Sequence, residues 1–268
     1  MDRAVISGLQ SLRGLSATAR ACRFCGADTV SGAGASFCVS CELQQGSGAG
    51  SGTEDASAGM NAIYRDAVLG KTAGLDSFAR EKRQQELQPE ILYGIGVLYS
   101  HASSHTYRDR NYSRSGFMEE NSGNVYASLD LASRSKEFLF KALYSAEHGE
   151  GSEGDRLYMR FIANVRLGRL TYAGRILEAL PASAIDARRY AGMVYSVETR
   201  SGDSRKRILE AMRSGEPNAY YYLARRLAQL KRFNDAIYIL KQLTGALNMP
   251  MAGYLLGDLR GFVEKTGM

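Results

Sequence analysis

The four cysteines of this chain form two CxxC pairs near the N-terminus, and this pattern restricts what the segment can fold into. Cys22 and Cys25 form the first pair, Cys38 and Cys41 form the second, and twelve residues separate the pairs. Each CxxC turn, here called a knuckle, presents two thiolates from one tight bend, so two knuckles complete a tetrahedral shell around one Zn²⁺. Residues 21–45 are too few and too rich in glycine to fold on their own apolar surface, so the metal would supply the folding energy. The sequence therefore predicts one structural Zn²⁺ and a reducing compartment.

The residues around the cysteines resemble those of small zinc ribbons. Cys25-Gly26-Ala27 matches the CxxCGA pattern of such ribbons, and Phe37-Cys38 matches the FCxxC that follows it. Gly26 is expected to adopt the positive φ that a knuckle needs. The resemblance implies a closed structural centre, because four thiolates leave no coordination position for a catalytic water. An iron–sulfur or redox centre is the alternative, with no neighbouring tuning group to favour it.

The N-terminal residues have the composition of a targeting segment. Residues 1–20 are rich in Arg, Ser, Ala and Leu and contain a single acid, Asp2. This is typical of a mitochondrial presequence, and an ordinary N-terminal arm is the alternative. Leu43-Gln44 follows the FCxxC motif, and in this the cysteine segment is similar to the ribbon of the mitochondrial J-type co-chaperone of iron–sulfur assembly. This sequence lacks the His-Pro-Asp triplet that defines a J domain. We expect an intracellular, mitochondrial protein, with the cytoplasm or nucleus as alternatives.

A glycine- and serine-rich stretch separates the cysteine segment from the rest of the chain. Residues 46–59 contain almost no side chain able to form a core, which is typical of a flexible linker. We therefore predict four parts: an N-terminal arm or targeting segment over 1–20, a zinc ribbon over 21–45, a linker over 46–60 and a helical domain over 61–268.

Charge is distributed unevenly along the chain. The net charge is +6, yet residues 1–60 hold four basic and five acidic residues, so the positive surplus lies in residues 61–268. A ribbon that binds nucleic acid should bring its own cations, and this segment has few. No apolar run reaches the roughly 18 residues of a membrane-spanning helix, so no membrane span is predicted.

From Asn61 onward, apolar residues recur at helical spacing. Helices are predicted over 62–86 with a weak point at 70–74, over 89–101, over 124–148 and, as shorter pairs, to the C-terminus. Pro89 suits a first helical position, where its missing N–H has no partner to lose.

The C-terminal half contains an internal repeat. Tyr158, Tyr190 and Tyr221 are 32 and 31 residues apart, and four apolar columns follow the same offsets. The columns are Val165 with Val197 and Ala228; Ile176 with Ile208 and Ile239; Leu177 with Leu209 and Leu240; and Leu180 with Met212 and Leu243. A period near 32 with two helices per repeat is typical of a helical-hairpin solenoid, because each hairpin covers the apolar face of its neighbour. The predicted fold class is therefore all-α.

The third repeat resembles a tetratricopeptide repeat (TPR). The matching large and small packing residues are Tyr220, Leu223, Ala224, Leu227, Ala236, Leu240 and Leu243. The first two repeats depart from this pattern, with Arg160 and Gly192 at the leucine position and Arg205 at the second alanine. The resemblance implies degenerate, TPR-like hairpins whose concave surface binds a protein partner.

Two sets of side chains are candidate contact sites. Residues 101–124 are interpreted as an insertion that interleaves aromatic and basic groups, namely Tyr107, Arg108, Arg110, Tyr112 and Arg114. Such groups can stack on bases and neutralise phosphates, which predicts nucleic-acid binding. An acidic protein partner and a plain solvated loop are the alternatives. The second set consists of arginines that recur at roughly the repeat interval: Arg188, Arg189, Arg225 and Arg226. They are predicted to bind acidic groups of a partner, and a solvated outer face is the alternative.

No arrangement of residues favours catalysis. The serines lie in no nucleophile motif, and no carboxylates form a clear pair. Gly94-Ile95-Gly96 lacks the third glycine of a dinucleotide fingerprint and predicts close helix packing instead. We expect a non-enzymatic adaptor or assembly subunit with a protein partner and no small-molecule substrate. An RNA-binding subunit of a ribosomal or RNA-processing assembly is the alternative.

Overall fold

The computed structural model describes residues 3–12, 19–22, 24–30, 36–38, 40–45, 54–82, 88–112, 118–149, 151–213, 216–247 and 249–266. Helices dominate this part of the chain, which confirms the predicted all-α class. Among these residues, no helix combines the length and the apolarity needed to cross a bilayer.

The cysteine segment contains the only strands in the described part of the chain. Strands β1 (Ala19–Ala21) and β2 (Asp28–Val30) are neighbours in one two-stranded sheet, and β3 (Ser36–Phe37) and β4 (Gln44–Gln45) form another. Strands β3 and β4 are antiparallel, with Ser36 opposite Gln45. Each pair of strands therefore flanks one cysteine knuckle.

Helix α1 (Arg3–Leu12) occupies the predicted N-terminal arm. Val5 and Leu9 are one helical turn apart, and both are buried because α1 packs on helix α11 (Phe233–Leu247).

The remaining helices follow in chain order: α2 (Glu54–Val68), α3 (Ala73–Lys82), α4 (Pro89–Tyr112), α5 (Met118–His148), α6 (Glu153–Arg166), α7 (Leu170–Ala179), α8 (Ile185–Glu198), α9 (Ser204–Arg213), α10 (Ala219–Gln229), α11 and α12 (Pro250–Thr266). The weak point predicted at 70–74 is the break between α2 and α3, where Gly70 has φ 76°. Helix α4 begins at Pro89, as its missing N–H predicts.

The boundaries of three helices differ from the sequence prediction, and one of them is the start of α5 at Met118 instead of residue 124. Helix α2 begins at Glu54, inside the stretch predicted to be a linker. Glu54 and Asp55 favour a start here, because acidic residues stabilise the positive N-terminal end of the helix dipole. Helix α4 continues to Tyr112, so the insertion predicted from residue 101 is helical over its first half. Residues 102–112 contain no glycine or proline that would stop a helix.

The chain divides into two compact units. The C-terminal unit comprises Met1–Arg20, Asp28–Ala49 and Leu170–Met268, and the central unit comprises Ala21–Ala27 and Gly50–Arg169.

In the central unit, the long helices α4 and α5 pack closely along their length. A Cβ on Gly96 would come within 2.9 Å of the Leu139 side chain, so close helix packing requires glycine here. The Ser135 hydroxyl donates to the Gly96 carbonyl at 2.7 Å across the same contact. The Gly94-Ile95-Gly96 motif thus has the packing role that the sequence predicted.

In the C-terminal unit, each helix from α7 to α12 contacts the next one in the chain, and α8 also contacts α10. Of the column residues in this unit, Tyr190, Val197, Ile208 and Leu240 are buried, and Ile176, Leu177 and Leu209 are half-buried. No member of the five columns is exposed in either unit.

The same turn ends three helices of the repeat region. Gly168, Arg200 and Lys231 have φ values of 72°, 55° and 59°, and they are 32 and 31 residues apart. In each turn the following residue donates its N–H to the carbonyl five residues earlier: Arg169 to Asn164 at 2.8 Å, Ser201 to Ser196 at 2.9 Å and Arg232 to Leu227 at 2.9 Å. This is the left-handed C-cap that satisfies the last carbonyls of a helix. The sequence period is thus matched by a period in backbone geometry.

Candidate metal centre

The four cysteine thiols form one cluster. The Sγ atoms of Cys22, Cys25, Cys38 and Cys41 all lie within 4.8 Å of one another, and all four residues are buried. Four thiols at this separation can hold a single metal ion, as the spacing of the two CxxC pairs predicted.

The two knuckles have the same backbone hydrogen bonds. In the first, Gly26 N–H donates to Cys22 O at 2.7 Å, and in the second, Glu42 N–H donates to Cys38 O at 2.6 Å. The residue after the second cysteine of each knuckle is left-handed, with φ 74° at Gly26 and 62° at Glu42. This backbone turns both thiols of a CxxC pair to one side.

The first knuckle is held by helices of the central unit. The Asn61 side chain on α2 donates to the Gly26 carbonyl at 2.6 Å. A Cβ on Gly26 would overlap the Met60 carbonyl, and a Cβ on Gly94 of α4 would overlap the Phe24 carbonyl. Helix backbones therefore lie directly against this knuckle. The Phe24 N–H also points at Cys22 Sγ, at 3.4 Å, as expected around a metal-bound thiolate.

The second knuckle is held by helix α10. Glu42 is 2% exposed, and its carboxylate accepts a hydrogen bond of 2.8 Å from the Tyr222 hydroxyl. Arg225 lies 3.9 Å from the same carboxylate oxygen and forms a 2.6 Å ion pair with Glu198 on α8. Burial lowers the pKa of Arg225, but Tyr221, Glu198 and Glu42 outweigh that effect, so its pKa is raised and it stays charged.

The donor set fits a structural metal ion. Four buried thiols provide soft ligands, which favour zinc or an iron–sulfur cluster over magnesium or calcium. Once all four thiolates are bound, no position remains for a water or a substrate. The chemistry available to such a centre is to fix the fold around it.

The predicted partner-binding arginines all make contacts within the chain. Arg188 donates to the Leu180 carbonyl at 2.9 Å, and Arg189 pairs with Asp186 at 2.8 Å. Arg226 donates to Gln229 and to the Arg200 carbonyl, at 3.1 and 3.3 Å. Arg225 belongs to the Glu42 cluster. Their role in binding a partner remains a prediction, and Arg225 already has two carboxylates beside it.

The predicted aromatic and basic contact segment lies mostly on α4. Tyr107, Arg108, Arg110 and Tyr112 belong to the last turns of that helix, and Arg114 lies outside the described residues.

Sequence reasoning missed the residues that hold the knuckles. Glu42 occupies the position that Gly26 has in the first knuckle, and both have a left-handed backbone. A glutamate where the matching knuckle has glycine is a signal that a sequence shows, because such a backbone is uncommon for glutamate and indicates that its side chain makes a stabilising contact. Asn61 and Tyr222 give no comparable signal, because they are distant in sequence from the residues they contact.

Comparison with known proteins assigns no family. No protein-family model matches the chain, and neither the curated proteins nor the solved structures give a significant match.

Proposed function

We propose that the protein is a non-enzymatic adaptor or assembly subunit that binds a protein partner through stacked, TPR-like helical hairpins. The observation that carries this proposal is the recurrence of one helix-ending turn at Gly168, Arg200 and Lys231, in step with apolar columns whose members are buried or half-buried. The contact of α8 with α10 across α9 also supports stacking of equivalent helices. Stacked hairpins offer an extended surface, which is how such arrays bind other proteins.

Exposed apolar side chains on the repeat helices provide contact points for a partner. Tyr172 on α7 and Ile185 on α8 are 59% and 63% exposed. Large exposed hydrophobic residues are normal singly but are also the residues that anchor interfaces.

The adaptor proposal is tested by isolating the partner. The full chain is cross-linked in native extract, purified by affinity and analysed by mass spectrometry. One stoichiometric partner is expected, and Tyr172→Ser with Ile185→Ser should reduce its recovery. The exposed Glu178→Ser on α7 serves as the control. A clean monomer from native extract would contradict the proposal.

We also propose that the cysteine cluster binds one structural Zn²⁺. The support is the S4 donor set and the two matching knuckles, which would hold the ion through Cys22, Cys25, Cys38 and Cys41. Elemental analysis of protein purified without added metal should give about one zinc per chain. Visible absorbance with bound iron would point to the iron–sulfur alternative.

RNA binding is the alternative function, and the exposed cations of the C-terminal unit favour an anionic partner. Arg200, Lys206 and Lys231 are exposed, and no carboxylate among the described residues pairs with them. Fluorescence anisotropy with a generic RNA should show affinity that falls steeply with salt. The alanine variants of Arg108, Arg110 and Arg114 test the segment predicted from sequence. No affinity at low salt would reject the alternative.

A further inference from the structure

Glu42 has a backbone conformation that disfavours glutamate. It stands where the first knuckle has Gly26, and its φ of 62° lies in the left-handed region. That conformation is less favourable for a residue with a Cβ than for glycine. A contact made by the Glu42 side chain must therefore offset the backbone cost.

The side chain of Glu42 makes that contact on α10. Its carboxylate is buried, accepts the Tyr222 hydroxyl at 2.8 Å and lies 3.9 Å from Arg225. The Arg225 guanidinium lies over the Tyr222 ring, 5.7 Å from its centroid, and its Nη2 forms an ion pair with Glu198. A buried carboxylate is tolerated only when hydrogen-bonded and paired in this way.

The backbone of Glu42 joins this cluster to the thiols. Its N–H donates to the Cys38 carbonyl, and its own peptide bond joins it to Cys41, so Glu42 touches both ends of the second knuckle. Displacing its carboxylate from α10 would change the direction of both thiols.

We infer that Glu42 is a positioning residue of the metal centre, whose carboxylate, held by Tyr222 and Arg225, keeps the Cys38–Cys41 knuckle in its metal-binding shape. This inference rests on the proposed metal binding. It links metal affinity to the packing of α10, although neither Tyr222 nor Arg225 is a ligand.

The metal affinity of Glu42→Gly distinguishes a purely local role of Glu42 from a role in positioning the knuckle. If Glu42 has only a local role, Glu42→Gly relieves the backbone strain and binds metal as tightly as the wild type or more tightly. If Glu42 positions the knuckle, Glu42→Gly loses about tenfold in affinity, the usual effect of removing a residue that orients a ligand. Affinity is measured on the full chain with Co²⁺, from thiolate absorption, and with Zn²⁺ in competition with a chromophoric chelator.

Three further variants and one control keep the test decisive. Tyr222→Phe should also weaken Zn²⁺ binding several-fold, and the Glu42→Gly/Tyr222→Phe double variant should lose little more than either single variant. Glu42→Gln keeps the shape of the side chain, so it serves if Glu42→Gly fails to fold, and it too should lose affinity. Tyr238→Phe, at a partly exposed tyrosine on α11, is the matched control.

The outcomes distinguish a failure of the positioning role of Glu42 from a failure of the proposed metal binding. A wild-type chain without Co²⁺–thiolate absorption would reject the metal centre itself. Normal metal binding by the wild type, Glu42→Gln and Tyr222→Phe alike would overturn only the positioning role of Glu42.

Discussion

At the scale of single residues, the Glu216 carboxyl is buried in a hydrogen-bonded setting that changes its acidity. Tyr190 donates to it at 2.7 Å, and the Asn218 N–H donates at 2.9 Å. Burial raises the pKa of Glu216 above its ordinary 4.5, and these hydrogen bonds oppose burial only in part. Folded protein therefore holds the Glu216 proton more tightly than unfolded protein does.

The raised pKa of Glu216 predicts a pH dependence of stability. The contribution of Glu216 is fully present below pH 4.5 and is lost as the pH rises through the folded-state pKa. Glu216→Gln has no proton to lose, so the difference between its free energy of unfolding and that of the wild type should shift in favour of the variant as the pH rises above 4.5. Urea unfolding followed by circular dichroism measures the difference. A constant difference over this rise in pH would show that the pKa of Glu216 is not raised.

At the scale of elements, the repeated turn allows two matched substitutions that should change the free energy of unfolding in opposite directions. Gly168 has φ 72° with no atom near its Cβ position, so Gly168→Ala should cost about 1 kcal/mol from conformation alone. Lys231 has φ 59° in the equivalent turn, so Lys231→Gly should stabilise by about 0.5 to 1 kcal/mol. Thermal unfolding measures both changes.

A second glycine, Gly202, provides the control for the turn series. Gly202 also has open space at its Cβ position but lacks a positive φ, so Gly202→Ala should be neutral or mildly stabilising. Equal losses from Gly168→Ala and Gly202→Ala would indicate that the left-handed conformation is not what matters at Gly168.

The elements also show how far the sequence could predict this structure. The cysteine spacing, the start of α4 at Pro89 and the buried columns depend on local chemistry or periodicity, which a sequence displays directly. The extent of α4 was not predictable from its polar residues, because a polar helix and a polar loop have similar compositions. The contacts Asn61–Gly26 and Tyr222–Glu42 join residues 35 and 180 positions apart, so only the folded chain brings them together.

At the scale of the whole molecule, each cysteine knuckle packs against helices of its own unit. The sequence predicted a ribbon over 21–45 that a linker separates from the helices. In the structure the Cys22–Cys25 knuckle contacts α2 and α4, and the Cys38–Cys41 knuckle contacts α10. Bound metal stabilises the folded state by mass action. Any helix whose packing depends on a knuckle should therefore be more stable when the metal is bound.

Metal removal is therefore expected to loosen particular helices as well as the cysteine segment. Hydrogen exchange is compared before and after treatment of the full chain with a strong chelator and a thiol reductant. Faster exchange is expected in the knuckles, around Asn61 on α2 and around Tyr222 on α10, because their contacts depend on the knuckle backbone. The last turns of α12 have no knuckle contact among the described residues and serve as the internal reference. Faster exchange confined to residues 21–45 would instead support an independent ribbon, since a separately folded module could lose its metal without disturbing the helices.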